Sequence, residues 1–132
     1  MRRLAWTVLL LSAILGAMGA RGASVTPVVW GDDPGENGNP SCADVCSTCT
    51  YEYKLEPPAE GTFSGPGGFQ VTISGATYRE GTEMMSFDWA ANYPVSVVIV
   101  KAGREANVYT YDPPVTSDQD LQPPGQPAIS HI

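Results

Sequence analysis

Histidine and positive charge are scarce in this chain of 132 residues. It contains a single histidine, His131, and seven lysines and arginines against fourteen aspartates and glutamates. A Ser-His-Asp or Cys-His set can be assembled only through His131, and the Gly-x-Ser-x-Gly motif is absent. Paired carboxylates are plentiful, but a glycosidase needs two of them facing across a sugar cleft, which a thin β-domain seldom offers. We therefore expect no enzymatic activity and rank an exported hydrolase last among three functional hypotheses.

The N-terminal residues have the layout of a secretory signal peptide. Arg2 and Arg3 precede an apolar run from Leu4 to Ala17, and small residues with two A-x-G steps follow at positions 17–19 and 20–22. A membrane anchor is the alternative, but the run is shorter than the about 20 residues that a spanning helix needs. We predict that residues 1–22 form a cleaved signal helix. The mature protein is then secreted or extracellular, with no membrane segment.

Removal of that leader leaves a strongly acidic protein. Three of the seven basic residues lie in or beside the leader, so four remain against all fourteen acidic residues, a net charge near −10. Such a surface repels phosphates, which excludes nucleic acid as a partner and leaves an unknown extracellular protein or glycan.

Three cysteines lie close together, at Cys42, Cys46 and Cys49. Their C-x3-C-x2-C spacing matches that of radical iron–sulfur enzymes, but those enzymes are intracellular and build a large barrel around the cluster. Zinc lacks a fourth ligand unless His131 supplies it, and the β-α-β setting of a C-x-x-C redox pair is missing. We expect a disulfide, with the pairing open, the odd cysteine free to pair between molecules, and no cofactor.

No stretch after the leader has helical periodicity, whereas short apolar alternations recur between Gly- and Pro-rich turns. They predict an all-β fold, a small antiparallel β-sandwich of immunoglobulin-like or jelly-roll-like type. Residues 23–49 are predicted to form a flexible Gly/Asp/Pro-rich segment with the cysteine cluster, and residues 50–132 the sandwich with a Pro-rich C-terminal loop. Within residues 23–49, the triplet 28–30 is either a short strand or an apolar plug. The predicted strands are 51–56, 70–74, 86–89, 95–100 and 108–111.

Three features refine this prediction. The β-branched run Val95–Val100 is typical of a central strand with both faces covered. Residues 62–65 are assigned to a turn, and residues 102–105 to a hairpin connection. The proline pair Pro113-Pro114 is expected to end the last long strand, and the residues from Val115 onward to form a tail or long loop.

A few side chains could bind a ligand. Tyr109 and Tyr111 would share one strand face and could stack on a sugar together with Trp30, Trp89 and the chain's other tyrosines, although core packing is the default role of such rings. The carboxylates of Asp112, Asp118 and Asp120 are weak calcium candidates, because clustered loop oxygens suit that ion. Tyr109, Tyr111, Asp112 and Asp118 thus define the second hypothesis, a small carbohydrate-binding or calcium-dependent module.

Residues 50–132 resemble a family of uncharacterised exported bacterial proteins and cell-surface modules. The resemblance rests on the following segments: the V-T-I-S strand at 71–74, F-D-W at 87–89, V-I-V-K-x-G at 98–103, N-x-Y-x-Y-x-P at 107–113, T-S-D at 116–118 and G-x-P-x-I-S-H-I at 125–132. It implies a secreted β-sandwich-like domain beside surface or adhesive segments, at a bacterial cell surface or in a periplasm. It also implies that S-H-I usually continues into an aromatic residue and a cysteine that pairs with an early one.

Because this sequence stops at Ile132, the resemblance predicts a missing or shortened last strand, an early cysteine without its usual partner, or a truncated gene product. Together with the composition, it makes an extracellular or cell-surface interaction or structural module the first hypothesis.

Overall fold

The computed structural model describes residues 22–132, so the predicted signal peptide lies, except for Gly22, outside the described residues. Within the described part, no helix is long and apolar enough to cross a bilayer. The elements are β1 Val28–Trp30, α1 Cys42–Val45, β2 Gly61–Ser64, a 3-10 turn Pro66–Gly68, β3 Gln70–Arg79, β4 Glu83–Ala102, β5 Glu105–Leu121 and β6 Ile129–His131.

All six strands belong to one antiparallel sheet. Its order is β1-β5-β4-β3-β2, and β6 pairs with β4 outside this path. The prediction of a small antiparallel all-β fold is therefore confirmed. The closing strand β6 is short, with three residues.

The two long strands β4 and β5 each run through two half-sheets. The first half-sheet contains β2, β3, residues 83–91 of β4 and residues 117–121 of β5. The second contains β1, residues 95–102 of β4, residues 105–111 of β5, and β6, and Val95 pairs with Val115 at the junction of the two. The β4–β5 register shifts between Ala90 and Val95 and again between Val95 and Val97. Such bulges bend a strand and increase its local twist, so they are the places where the sheet can turn from one half into the other.

Buried side chains of both half-sheets form a single core. Phe87 and Trp89 of the first half-sheet belong to the same cluster as Val100, Tyr109 and Tyr111 of the second. The rings of Trp89 and Tyr111 lie 5.8 Å apart, centroid to centroid. The half-sheets thus pack face to face like the layers of a sandwich, although β4 and β5 themselves join the layers.

A tight turn at Gly103-Arg104 connects β4 to β5, as predicted. Gly103 has a φ of +56° at the first central position of the turn, where a type II′ hairpin turn places glycine. An added Cβ there would lie 3.0 Å from Cγ of Pro127. Glycine is therefore favoured here both by the backbone conformation and by the close approach of the C-terminal segment.

Several predicted boundaries are wrong. Strand β5 continues past Pro113-Pro114 to Leu121, where a tail was predicted, and the predicted turn at 62–65 is mostly strand β2. The prolines fit because no residue from 111 to 114 pairs with β4, so no ladder N–H is lost there.

The predicted strand at 51–56 is not a regular strand, but its backbone is partly paired. Leu55 donates its N–H to the main-chain oxygen of Ile132 at 2.8 Å and accepts the N–H of Ile132 at 3.1 Å. In the segment predicted to be flexible, β1 pairs with β5, and α1 begins with a capping box formed by Ser41 and Asp44.

Candidate functional site

A cavity of about 580 Å³ opens between the half-sheets. Its inner walls are apolar: Ile73, Phe87 and Trp89 come from the first half-sheet, and Val95 and Val98 from the second. A volume of this size lies within the range of small-ligand sites, which are typically concave and mostly apolar with a few polar groups. This cavity is therefore the candidate functional site.

Aromatic rings surround the entrance to the cavity. The rings of Tyr51 and Tyr53 lie 5.4 Å and 5.7 Å from the ring of Phe69, and Tyr93 also lines the opening. Tyr51 is 43% exposed and Tyr93 is 49% exposed. Tyrosines that present an apolar ring and a hydroxyl group to solvent are common at binding surfaces.

The cavity explains why the β-branched run of β4 is not fully covered. Val97 and Val100 are buried, but Val95, Val98 and Ile99 are only half-buried. The prediction that both faces of this strand are covered is therefore only partly right. β-branched residues reveal a central strand, but they do not reveal how closely its neighbours pack.

The only histidine lies at the edge of the cavity without forming a nucleophile–base pair. Oγ of Ser130 lies 3.3 Å from Nδ1 of His131 and 3.1 Å from the carbonyl oxygen of Lys101. A hydroxyl has one proton, and when it donates to Lys101 it can only accept from the histidine. Burial, and secondarily the positive charge of Lys54, lowers the pKa of His131 below its ordinary value.

The cysteine cluster contains one disulfide, so the predicted cross-link is confirmed. Cys46 and Cys49 are bonded, and Cys42 is a half-buried thiol that also lines the cavity. Burial and the nearby carboxylate of Glu52 raise the pKa of Cys42. The thiol therefore stays protonated at neutral pH and is a weak nucleophile.

Tyr109 and Tyr111 are not a stacking platform, which corrects that hypothesis. The two rings share one strand face, but they are 2% and 3% exposed and belong to the core. The Tyr109 hydroxyl donates to the carbonyl oxygen of Gln122 at 3.2 Å. Among the described residues, three tyrosines are exposed: Tyr51 and Tyr93 at the cavity entrance, and Tyr78, which does not line the cavity. The alternation along residues 51–55 indicated that the apolar side chains share one face, but it did not indicate which part of the protein that face lies against.

The calcium hypothesis is not supported by the positions of its residues. Within residues 22–132, no three His, Cys, Asp or Glu side chains gather as a metal site. Asp118 accepts hydrogen bonds from the Tyr111 hydroxyl at 2.8 Å and from the Ser24 N–H at 2.9 Å. The carboxylate of Asp120 accepts from the side chain of Gln122, and Asp112 lies exposed beside the proline pair. Asp118 thus has a structural role.

The indole nitrogen of Trp89 is buried and has no hydrogen-bond partner among residues 22–132. Trp89 itself is 3% exposed. Buried N–H groups are usually paired, so this donor is an exception in the core.

Comparison of the chain with protein-family models, with curated proteins and with solved structures finds no match.

Proposed function

We propose that the protein is a secreted, non-catalytic interaction module that binds an apolar group of an extracellular partner in the cavity between its half-sheets. The observation that carries this proposal is the 580 Å³ cavity with its apolar walls and partly exposed aromatic entrance. A folded core is normally packed as densely as an organic crystal, with few voids larger than a water molecule. An open apolar space of this size in so small a domain is what a binding site requires.

The residues around the cavity favour binding over catalysis. His131 accepts no proton from Ser130 when that hydroxyl donates to Lys101, and the Cys42 thiol has a raised pKa. Neither group is an activated nucleophile or a base paired with one. The predicted leader supports the secreted location.

Binding of the neutral apolar dye Nile red tests this function. We expect the dye to bind the folded protein with about one site per chain and enhanced fluorescence. Val98→Phe places a larger side chain at the cavity wall and should weaken binding at least about tenfold, which corresponds to about 1.4 kcal/mol.

The matched control is Val29→Phe, the same change on strand β1, where Val29 is 41% exposed and does not line the cavity. It should leave dye binding unchanged. Equal binding by the wild type and by Val98→Phe would show that the cavity is not the site and would contradict the proposal.

A further inference from the structure

The charged side chains that line the cavity leave one carboxylate without a compensating charge. Among residues 22–132, Glu52 is the only acidic residue of the lining, and Lys54 and His131 are the only basic ones. Nζ of Lys54 forms an ion pair with the carboxylate of Glu56 at 2.9 Å. Burial lowers the pKa of His131 below its ordinary value of about 6.5, so its imidazole is neutral at pH 7. The local charge of the lining is therefore negative and belongs to Glu52.

Glu52 lies at the rim of the cavity and not in its apolar interior. Its side chain is exposed, and it follows Tyr51 and precedes Tyr53, two residues of the aromatic entrance. Oε1 of Glu52 accepts the backbone N–H of Cys42, another lining residue, at 3.3 Å. No basic side chain of the described part of the chain forms an ion pair with this carboxylate. Glu52 thus places a negative charge where a ligand would enter.

The aromatic rings of the entrance add a second attraction for positive charge. The rings of Tyr51 and Tyr53 are each inclined by 49° to the ring of Phe69. A flat stack would cover one face of each ring, whereas inclined rings leave more of their faces open. Tyr93 lies beside them, because its hydroxyl donates to the carbonyl oxygen of Gly67 at 3.4 Å, two residues before Phe69. A cation within about 6 Å of an aromatic face is attracted by the negative charge of that face.

We propose that the cavity binds a single-chain amphiphile with a quaternary ammonium head and an apolar tail. The head lies at the entrance between the tyrosine rings and Glu52, and the tail extends inward along Trp89 and Val98. This choice of ligand rests on the proposed cavity function and adds the chemical class. A quaternary head suits the site because its methyl groups contact aromatic rings and leave no N–H group unpaired. A phosphate next to the head would lie beside Glu52 and be repelled, so a phospholipid head group fits less well.

Displacement of bound Nile red by probes with an octyl tail, used below the concentrations at which they form micelles, tests the inference. Octyltrimethylammonium should bind at least about fivefold more tightly than 1-octanol, because only its head is attracted by Glu52 and the rings. Octanoate should bind more weakly than 1-octanol, and octylphosphocholine should lose the advantage of the cation because of its phosphate. Decyltrimethylammonium should bind about 15-fold more tightly than the octyl compound, because each buried CH₂ group contributes about fourfold.

Two substitutions test the two attractions separately. Glu52→Gln removes the charge and keeps the size of the side chain, and Tyr51→Leu removes a ring face and keeps an apolar side chain. Each should lower the affinity for octyltrimethylammonium about two- to fivefold and leave the binding of 1-octanol nearly unchanged. The matched controls are Glu80→Gln and Tyr78→Leu, the same changes at exposed residues that do not line the cavity. Both controls should leave both affinities unchanged.

Nuclear Overhauser contacts in the complex of the unchanged protein with octyltrimethylammonium locate the two ends of the probe. The methyl protons of the head should contact ring protons of Tyr51, Phe69 or Tyr93 at the entrance. The terminal methyl group of the tail should contact Trp89 or Val98 at the inner walls. This measurement needs no variant, so it remains decisive even where a substitution disturbs the fold.

Four results would overturn the inference. Equal affinities for octyltrimethylammonium and 1-octanol, while Nile red still binds, would reject the cationic head and leave the cavity function standing. Equal losses of affinity in Glu52→Gln and Glu80→Gln would show that the acidic surface in general attracts the cation. Binding of octylphosphocholine as tight as that of octyltrimethylammonium, or head-group contacts at the inner walls, would contradict the ligand class or its orientation. Failure of both Nile red and the probes to bind would reject the cavity function as well.

Discussion

At the scale of single residues, the Tyr111–Asp118 contact shows how the core accommodates polar groups. The Tyr111 hydroxyl is buried and donates to Oδ2 of Asp118 at 2.8 Å, while Oδ1 accepts the backbone N–H of Ser24 and of Gln119. One carboxylate therefore connects two stretches of β5 and the residues that precede β1. Asp118, which the sequence suggested as a calcium ligand, is a structural hydrogen-bond acceptor in the fold.

Tyr111→Phe should lower the free energy of unfolding at pH 7 by about 1.5–3 kcal/mol, because a buried hydrogen bond to a charged group is lost. The matched control is Tyr93→Phe. Tyr93 is half exposed, and its hydroxyl lies 3.4 Å from the carbonyl oxygen of Gly67, so its loss should cost less than about 0.5 kcal/mol. Urea unfolding measures both values, and equal losses would contradict the role assigned to Asp118.

The same contact gives a pH dependence. Burial, and then the hydrogen bond to Asp118, raises the pKa of Tyr111 above its ordinary value of about 10. A raised pKa means that the folded state retains a proton that the unfolded state loses, so this stability is complete below pH 10 and falls as the pH rises above it. The stability difference between the wild type and Tyr111→Phe should therefore shrink above pH 10. A difference that grows there would contradict the shift.

At the scale of elements, the sequence predicts the strands more reliably than their ends. The alternation of Phe87 and Trp89 and the β-branched run after Pro94 place the core of β4, and the Gly103 turn places the hairpin. The continuation of β5 beyond Pro113-Pro114 could not be predicted, because prolines normally end strand pairing. Here the pairing to β4 resumes at Val115 after a bulge, and only the tertiary register reveals that.

The cysteine segment combines one disulfide, Cys46–Cys49, with one free thiol at Cys42. Mass mapping of the oxidised protein should find the Cys46–Cys49 disulfide and a free thiol at Cys42. The chain-entropy model assigns about 2 kcal/mol to so short a loop. The double variant Cys46→Ser, Cys49→Ser should lose about that much stability.

Cys42→Ser is the matched control for the disulfide variant. It breaks no cross-link and should change the free energy of unfolding by less than the double variant does. A disulfide that includes Cys42 in the mapped protein would contradict the pairing.

At the scale of the whole molecule, the fold class follows from the sequence and the site does not. The strand pattern, the predicted core and the single disulfide could be derived from local signals. The cavity depends on how far residues 51–55 and 69 stand from β4, which is a long-range distance that no local pattern encodes. For the same reason, the sequence offered Tyr109 and Tyr111 as a possible stacking pair, whereas the exposed tyrosines are Tyr51, Tyr78 and Tyr93, and two of these, Tyr51 and Tyr93, line the cavity entrance.

Stability and binding are linked at the cavity. Residues that line the cavity contact fewer neighbours than core residues, so the domain is less stable than a fully packed sheet of the same sequence length would be. A side chain that fills the cavity should therefore stabilise the domain while it abolishes binding. Stability and function would then change in opposite directions at one position.

The most direct measurement is the free energy of unfolding of Val98→Phe compared with Val100→Phe. Val98 is half-buried at the cavity wall, whereas Val100 is fully buried in the packed core two residues along the same strand face. We predict that Val98→Phe raises stability by about 0.5–2 kcal/mol and that Val100→Phe lowers it by about 1–3 kcal/mol. A loss at Val98 as large as that at Val100 would show that the half-sheets close on each other without a cavity, and it would contradict the account.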